Sequence, residues 1–349
     1  MFENSRKIYV VYPRGLRTGG PEALHQLVDM LRELGQDAYL VPHPATSATP
    51  RAEQFEIYNA PEAPAPVDAE GNVVVVPEVY VADLHAYKHA TPVCWWLSID
   101  YSPTFVAGRT ALRSTAGPWS SLKETLVPRL SAVKNRVDPR SLKRSRIVHA
   151  VQSSYAWAFL FSHLNVVPSL LSDYTPSAEF LSKDENGSRN HRLVTFNPVK
   201  GGDIIREVMK VCDPSIEWRP IQGMTRTEVT ETLGECGIYL DLGFHPGKDR
   251  MPREAALSGA LTVVGRRGSG AFYADVPIPW EHKITPGPAE VSSSANLLPR
   301  LMADLPREIA KQDSYRAAIL SEKERFKREV SDIFVEQRFG KDAYDYLNE

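Results

Sequence analysis

Short apolar runs alternate with helical patterns along most of this chain. Ile8–Tyr12 has the composition of a buried strand, and the spacing of apolar residues in Glu22–Leu34 predicts an amphipathic helix after it. Gly35 is a typical residue to end that helix, and Ala38–Val41 predicts the next strand. A strand, a helix and a second strand in this order form a βαβ unit, so the pattern predicts a doubly wound α/β domain.

The alternation continues and then restarts after the polar segment Ser182–Arg192, which has the composition of a linker. In the first half it predicts strands at Val73–Val76, Pro92–Leu97, Ile147–Val151 and Val166–Leu171, and a helix capped by Ser153 that runs to about Leu164. In the second half it predicts strands at Leu193–Phe196, Glu217–Ile221, Ile238–Asp241 and Leu261–Val264, and helices at Gly202–Val211, Thr225–Glu235 and Arg253–Ser258. The tail from about Ala295 to Asn348 has a mostly helical pattern. We therefore predict two Rossmann-like domains, residues 1–185 and 190–325, with a ligand cleft between them, and a final helix at 326–349.

Composition adds limits to this picture. The chain has 349 residues, 42% of them hydrophobic, which is enough for two domains with packed cores. The net charge of −2 provides no general attraction to nucleic acid or membrane. The three cysteines (Cys94, Cys212 and Cys236) form no CxxC pair and are expected to be buried thiols in a reducing compartment. We find no signal peptide or membrane span in the sequence, so we predict a cytoplasmic protein.

The segment Asp241–Val264 carries the strongest functional signal. It predicts a strand end, a loop rich in Gly, Pro and polar residues, a helix that opens at Pro252–Glu254, and a new strand. A loop that enters a helix N-terminus binds anions well, because free N–H groups and the helix dipole face the ligand. Glu254 in the predicted first turn would cap the helix or accept hydrogen bonds from a ribose diol. The combination suggests a nucleotide-sugar site, and its candidate residues are His245, Gly247, Lys248, Arg250, Arg253 and Glu254.

A second loop of the same half contains Asn197, Lys200, Gly201 and Gly202. It follows a predicted strand, and ligands of open α/β sheets bind at the carboxyl ends of strands. Lys200 could therefore reach a diphosphate, although a solvated lysine in a turn is the alternative. Two interpretations are likewise open for the Gly265–Gly270 loop, which could contact a ligand or be a mobile surface loop.

The first half offers candidates for the acceptor. Gly19 and Gly20 could let a ligand approach the backbone, or could simply make a tight turn into the first helix. Trp96 and Ser98 stand at a predicted strand end beside Asp100, and aromatic rings next to a carboxylate suit sugar binding, with Asp100 as a possible general base. Core tryptophans and a turn-capping Asp100 are the alternative.

The segment Arg129–Arg146 is rich in Lys and Arg, with Asp138 as its one acidic residue. It could contact anionic lipid head groups, a phosphorylated acceptor or nucleic acid, and the first of these would place the protein at the inner membrane face. A solvated basic face is the alternative. We find no metal-ligand spacing and predict no metal site.

Three of these segments resemble the GT-B glycosyltransferases, especially the retaining group called family 4. Gly19-Gly20-Pro21-Glu22 is similar to that family's N-terminal glycine loop, and Asn197–Gly201 is similar to its Lys-Gly segment that holds the donor diphosphate. Pro252–Val264 resembles its Glu-Ala-x-Ala-x-Gly-x-Pro-Val-Val stretch, whose glutamate binds the donor ribose. The chain departs from the family at Pro246, where the family has a second glutamate, and at Ser98, where it has a histidine.

The resemblance implies a GT-B fold, with the acceptor on the first domain, the donor on the second, and a C-terminal helix, Phe326–Tyr346, that returns to the first domain. It implies transfer of a sugar from a nucleotide-sugar to an acceptor hydroxyl without metal or cofactor, with retention, in polysaccharide or glycoconjugate synthesis. Lys200, Lys248 and Arg250 would neutralise the diphosphate. Two alternatives stay open: a transferase acting on modified nucleic acid, and a GT-B-like protein that binds a nucleotide-sugar or glycan without turnover.

Overall fold

The computed structural model of the protein describes residues 6–105, 137–143, 146–181 and 189–338. The chain divides into two compact units. One comprises Met1–Asp173 together with Glu324–Glu349, and the other comprises Tyr174–Lys323. Each unit contains one β-sheet, in which all the strand pairs of the described residues are parallel.

The first unit is built on a six-stranded sheet with the order β2-β1-β3-β4-β5-β6. Its strands are β1 (Lys7–Tyr12), β2 (Asp37–Pro42), β3 (Val73–Pro77), β4 (Thr91–Trp96), β5 (Val148–Val151) and β6 (Ser169–Leu170). Every residue of β3 is buried, as expected of a central parallel strand that is covered on both faces. Neighbouring residues of a strand point to opposite faces, and Trp95 and Trp96 accordingly use different partners: Leu171 O for the indole of Trp95 and His149 for that of Trp96.

Helices α1 (Gly19–Glu33) and α2 (Ser154–Leu164) follow β1 and β5 of this sheet. Gly35 follows α1 with a φ of 78°, the left-handed geometry that favours glycine after a helix. The Ser153 side chain accepts a hydrogen bond from the N–H of Ala156 and so caps α2. The last helical segment of the described residues also packs here, because the ring of Phe326 stacks on Trp95 and Arg6 donates to Phe334 O.

The second unit is built on a five-stranded sheet with the order β11-β10-β9-β7-β8. Its strands are β7 (Asn190–Phe196), β8 (Glu217–Pro220), β9 (Cys236–Asp241), β10 (Leu261–Gly265) and β11 (Lys283–Ile284). The helices from Gly202 onward are α3 (Gly202–Val211), α4 (Arg226–Glu235), α5 (Arg250–Leu257), α6 (Glu290–Ala303), α7 (Leu305–Ala310), α8 (Asp313–Leu320) and α9 (Glu322–Val330), and a π-helical turn at Ser331–Val335 follows α9. Within the described ranges, none of the helices has the length and apolarity that a bilayer span requires.

The structure corrects three predictions from the sequence. Helix α5 begins at Arg250, before the predicted opening at Pro252, so Glu254 lies beyond the first turn. Strand β7 begins at Asn190, inside the segment that we predicted as a linker up to Arg192. The two-residue strand β11 was not predicted, because so short a strand leaves no periodic pattern in the sequence.

Candidate functional site

The two loops that we predicted as a donor site lie against each other in the second unit. They follow β7 and β9, which are parallel neighbours in the sheet. The carboxyl ends of these two strands therefore lie side by side at one edge of the sheet, which we call the carboxyl edge. The contact is between backbones: a Cβ atom added to Gly201 would lie 2.6 Å from the nitrogen of Gly243. Gly201 also has a φ of 70°, which an L side chain rarely adopts. Glycine at both positions therefore allows the two loops to pack together.

His245 lies at the centre of this edge and is completely buried. Its Nδ1 atom is 2.9 Å from Asp249 Oδ2, and its Nε2 atom is 3.6 Å from Asp241 Oδ1. The same Oδ2 atom of Asp249 accepts a hydrogen bond from Lys200 Nζ at 2.6 Å. We call these four residues (Asp241, His245, Asp249 and Lys200) the buried charge cluster. It brings together Lys200 and His245, which the sequence predicted, with two carboxylates, which it did not.

The carboxylates set the protonation of this cluster. Burial alone would lower the pKa of His245, but Asp241 and Asp249 outweigh burial, and the pKa is raised from its usual value. Burial would likewise raise the pKa of Asp249, yet His245 and Lys200 hold it below its usual value. The cluster therefore favours an imidazolium ring at His245 beside an ionised Asp249.

Asp241, His245 and Asp249 are also residue types that bind metals, and one ligand atom from each lies within 4.8 Å of the others. The geometry fits ion pairing better than metal binding. The two carboxylates face different ring nitrogens, whereas a metal ion would take a single nitrogen from the histidine. The ammonium of Lys200, in contact with Asp249, adds a positive charge where a cation would have to sit. We therefore interpret the cluster as a network of ion pairs.

The loop after β10 holds His245 in place. Ser269 N donates a hydrogen bond to His245 O, and Ser269 Oγ donates to Gly247 O. A Cβ atom on Gly270 would lie 3.0 Å from Cδ2 of the His245 ring. The Gly265–Gly270 loop therefore packs against His245, and its contact with a ligand stays a prediction.

Lys248 and Arg253 are paired with a carboxylate that lies far along the chain. Glu322 Oε1 is 2.7 Å from Lys248 Nζ, and Glu322 Oε2 is 2.8 Å from Arg253 Nη1. Arg253 also donates to the carbonyls of Lys248 and Asp249, so it fixes the loop that precedes α5. All three side chains of this group, the Glu322 triad, are largely buried. Lys248 is thus held by a protein carboxylate in this structure.

The remaining donor-side candidates lie around the same loops. Glu254 is buried, and its Oε1 atom is 3.5 Å from Nη1 of the half-exposed Arg226. Arg250 is the first residue of α5 and is partly buried. Asn197 accepts a hydrogen bond from the N–H of Val199, so its side chain shapes the turn before Lys200.

In the first unit, the glycine loop and the β4 end also come together. A Cβ atom on Gly20 would lie 3.7 Å from a methyl carbon of Leu97, so Gly19 and Gly20 at the start of α1 lie beside that strand end. The N–H of Leu97 donates to Oε2 of Glu78, a buried carboxyl group that follows β3. Burial raises the pKa of Glu78 to about 8. Glu78 was not predicted as a site residue, since one acidic residue after an apolar run gives no specific signal in the sequence.

Trp96 lies in the core rather than on a surface. It is fully buried and donates to Nδ1 of His149 at 3.0 Å. Ser98 and Asp100 are also buried, and Asp100 accepts a hydrogen bond from Tyr155 OH at 3.3 Å. Trp96 therefore belongs to the core, while Ser98 and Asp100 lie just after the carboxyl end of β4.

Asp241, Asp249 and Glu322 contact the candidate site residues, but sequence reasoning did not single them out. Asp241 and Asp249 lie four residues on either side of His245, a spacing that could have drawn attention to them. Glu322 gives no such signal, because it reaches the site only through the folded chain. Most of the basic segment Arg129–Arg146 lies outside the described residues.

No protein-family model matches the sequence, and no curated protein matches it. Solved structures do match its fold. The sucrose-phosphate synthase of Thermosynechococcus elongatus has a TM-score of 0.65 at 12% identity, over 95% of this chain and 99% of that chain. WaaG, a glycosyltransferase involved in lipopolysaccharide biosynthesis, has a TM-score of 0.61 at 12% identity, over 93% and 99%. HepE of Anabaena, in complex with UDP-glucose, has a TM-score of 0.61 at 12% identity, over 95% and 99%.

These comparisons define the class of fold. Two parallel α/β sheets with their helices match glycosyltransferases of the GT-B type along nearly the whole chain, as the resemblance implied. At this level of identity the match establishes the fold, and the chemistry has to be argued from the site itself.

Proposed function

We propose that the protein is a glycosyltransferase that moves a sugar from a nucleotide-sugar donor to an acceptor hydroxyl. The observation that carries the proposal is the meeting of the β7 and β9 loops at one sheet edge, with Lys200 and the start of α5 beside it. Ligands of open α/β sheets bind at the carboxyl ends of strands. The shared fold with glycosyltransferases, one of them solved with UDP-glucose, supports the same ligand class.

The cations at this edge suit a diphosphate leaving group. Lys200 and Arg250 would stabilise the negative charge that develops as the glycosidic bond to the donor phosphate breaks. Lys248 would join them only by exchanging Glu322 for the phosphate. Glu254, beside Arg226, would accept hydrogen bonds from the ribose. We propose on this basis that the transfer needs no metal ion.

The acceptor side of the proposal rests on the first unit. Gly19, Gly20 and Ser98 would line the acceptor site, and Asp100 would act on the acceptor hydroxyl as a base. Retention of the anomeric configuration and a role in polysaccharide or glycoconjugate synthesis belong to the proposal through the family resemblance. An NMR assignment of the product anomer tests the stereochemistry, and an inverted product would overturn that part alone.

Donor binding is the first test. Thermal-shift and calorimetric titrations with UDP-, GDP-, dTDP- and CMP-sugars should identify one donor that binds the wild-type protein. Lys200→Ala and Glu254→Ala should each weaken that binding by at least about tenfold, the loss expected for one charge-assisted contact. Lys210→Ala and Glu231→Ala, at exposed positions on α3 and α4, are the matched controls. Unchanged binding in both site variants, with the fold intact, would refute the site.

Turnover is the second test, and it separates an enzyme from a binding protein. The protein that binds a donor should also hydrolyse it slowly without acceptor, and faster transfer should appear with a suitable hydroxyl acceptor. Tight binding with neither hydrolysis nor transfer would favour the non-catalytic alternative, for which the pairing of Lys248 with Glu322 is the structural argument.

A further inference from the structure

Protonation of the His245 ring determines the net charge of the buried charge cluster. Asp241 and Asp249 each contribute a negative charge, and Lys200 contributes one positive charge. With a neutral ring at His245 the cluster would carry a net negative charge, and it would repel a diphosphate. With an imidazolium ring the cluster is neutral, and Lys200 can attract an anion.

The arrangement around His245 is that of a fixed imidazolium. Each ring nitrogen lies within ion-pair distance of a carboxylate oxygen, Nδ1 at 2.9 Å from Asp249 and Nε2 at 3.6 Å from Asp241, and a ring charge attracts both carboxylates at once. The ring has no exposed surface, so water cannot replace either carboxylate. Because Lys200 and His245 share Oδ2 of Asp249, the ring also determines how strongly Asp249 holds the ammonium.

We propose that His245 is a positioning residue that sets the charge of the donor site, so that Lys200 can bind the diphosphate of a donor. The inference rests on the proposed function and assigns His245 a task that does not require contact with substrate. The groups that face the ring are Asp241 from β9, Asp249 before α5, Lys200 after β7, and the backbone of Gly270 after β10. Asp241 and Asp249 favour a protonated ring, whereas Lys200 disfavours it. The effect of the two carboxylates is the larger one.

The test uses pairs of variants in the full-length protein, with pyrophosphate and the best nucleotide-sugar as separate probes. His245→Gln leaves the two carboxylates against one ammonium, so it should weaken pyrophosphate binding by at least about tenfold, given one uncompensated charge a few ångströms from the ligand. The double variant with Asp241→Asn removes that excess charge and should recover most of the loss. His191→Gln, at an exposed position of β7, is the matched control and should bind like the wild type.

Recovery in the double variant distinguishes charge from structure, because a purely structural histidine would leave the double variant no better than the single one. Equal pyrophosphate binding by wild type and His245→Gln would overturn the inference, and so would a folded double variant that recovers nothing. If pyrophosphate follows the expected pattern but no nucleotide-sugar binds, the proposed function fails, and of the inference only the charge-setting role of His245 toward Lys200 stands. If a nucleotide-sugar binds without any dependence on His245, only the inference fails. If neither probe binds the wild type, both are refuted.

Discussion

Glu322→Ala should destabilise the second unit strongly, because it removes the carboxylate of the Glu322 triad. Arg253 is only 1% exposed and Glu322 only 2%, so the guanidinium would lose this carboxylate inside the protein. Loss of one partner from a buried ion pair costs about 3–5 kcal/mol. We expect about 3 kcal/mol, the lower end of that range, because Arg253 keeps its hydrogen bonds to two backbone carbonyls.

Glu322 also accepts a hydrogen bond from the N–H of Thr175, at the start of the same unit. The substitution therefore releases both ends of the second unit's chain as well as the loop before α5. Hydrogen exchange should accelerate in residues 242–250 and around Thr175, where the lost contacts lie.

Denaturant unfolding of the second unit, followed by fluorescence and by hydrogen exchange, measures this loss. Glu324→Ala, at an exposed position of α9, is the matched control and should change stability by less than about 0.5 kcal/mol. A Glu322→Ala protein as stable as this control, with unchanged exchange before α5, would refute the structural role of the triad.

Further predictions concern the sheet edge. Because the pKa of His245 is raised in the folded protein, protonation of the ring stabilises the fold fully below the usual pKa of 6.5. This contribution should be lost as the pH rises from 6.5 through the raised pKa. Unfolding measured against pH should show the loss in wild type and not in His245→Gln. Gly201→Ala should lower the stability of the fold more than Gly223→Ala. Both glycines have a positive φ, but only a Cβ atom at Gly201 would meet backbone atoms, those of Gly243. The control Gly223→Ala should lose about 1–2 kcal/mol of stability, and equal losses in the two variants would contradict the close packing. Zn²⁺ or Mn²⁺ should leave the melting temperature unchanged, and a shift abolished by Asp241→Asn would show a metal site instead.

The fold was largely predictable because its signals are local. The apolar run Val73–Pro77 reflects a strand that is buried on both faces, and the spacing before Gly35 reflects a helix that buries one face. Such patterns were sufficient to predict these elements from the sequence. The start of α5 was misplaced, because proline is typical of the first helical position, whereas Pro252 is the third residue of a helix that begins at Arg250.

The candidate site was predictable only in part, because its contacts are not local. Lys200 and His245 were identified from glycine-rich loops at strand ends, which is a property of the sequence. Their counter-ions were not, since Glu322 meets Lys248 only after the helices from α6 to α8 have packed. Trp96 shows the converse: an aromatic residue at a strand end looked suited to a sugar, yet the pleat of β4 directs it into the core.

Hydrogen-exchange mapping of the bound state tests the central claim most directly. With the nucleotide-sugar that raises the melting temperature most, exchange should slow in the loops at residues 197–201 and 242–250, and Lys200→Ala should abolish that protection. Protection confined to other parts of the chain, or protection of these loops that survives Lys200→Ala at the same ligand concentration, would contradict a donor site at the carboxyl edge of the second sheet.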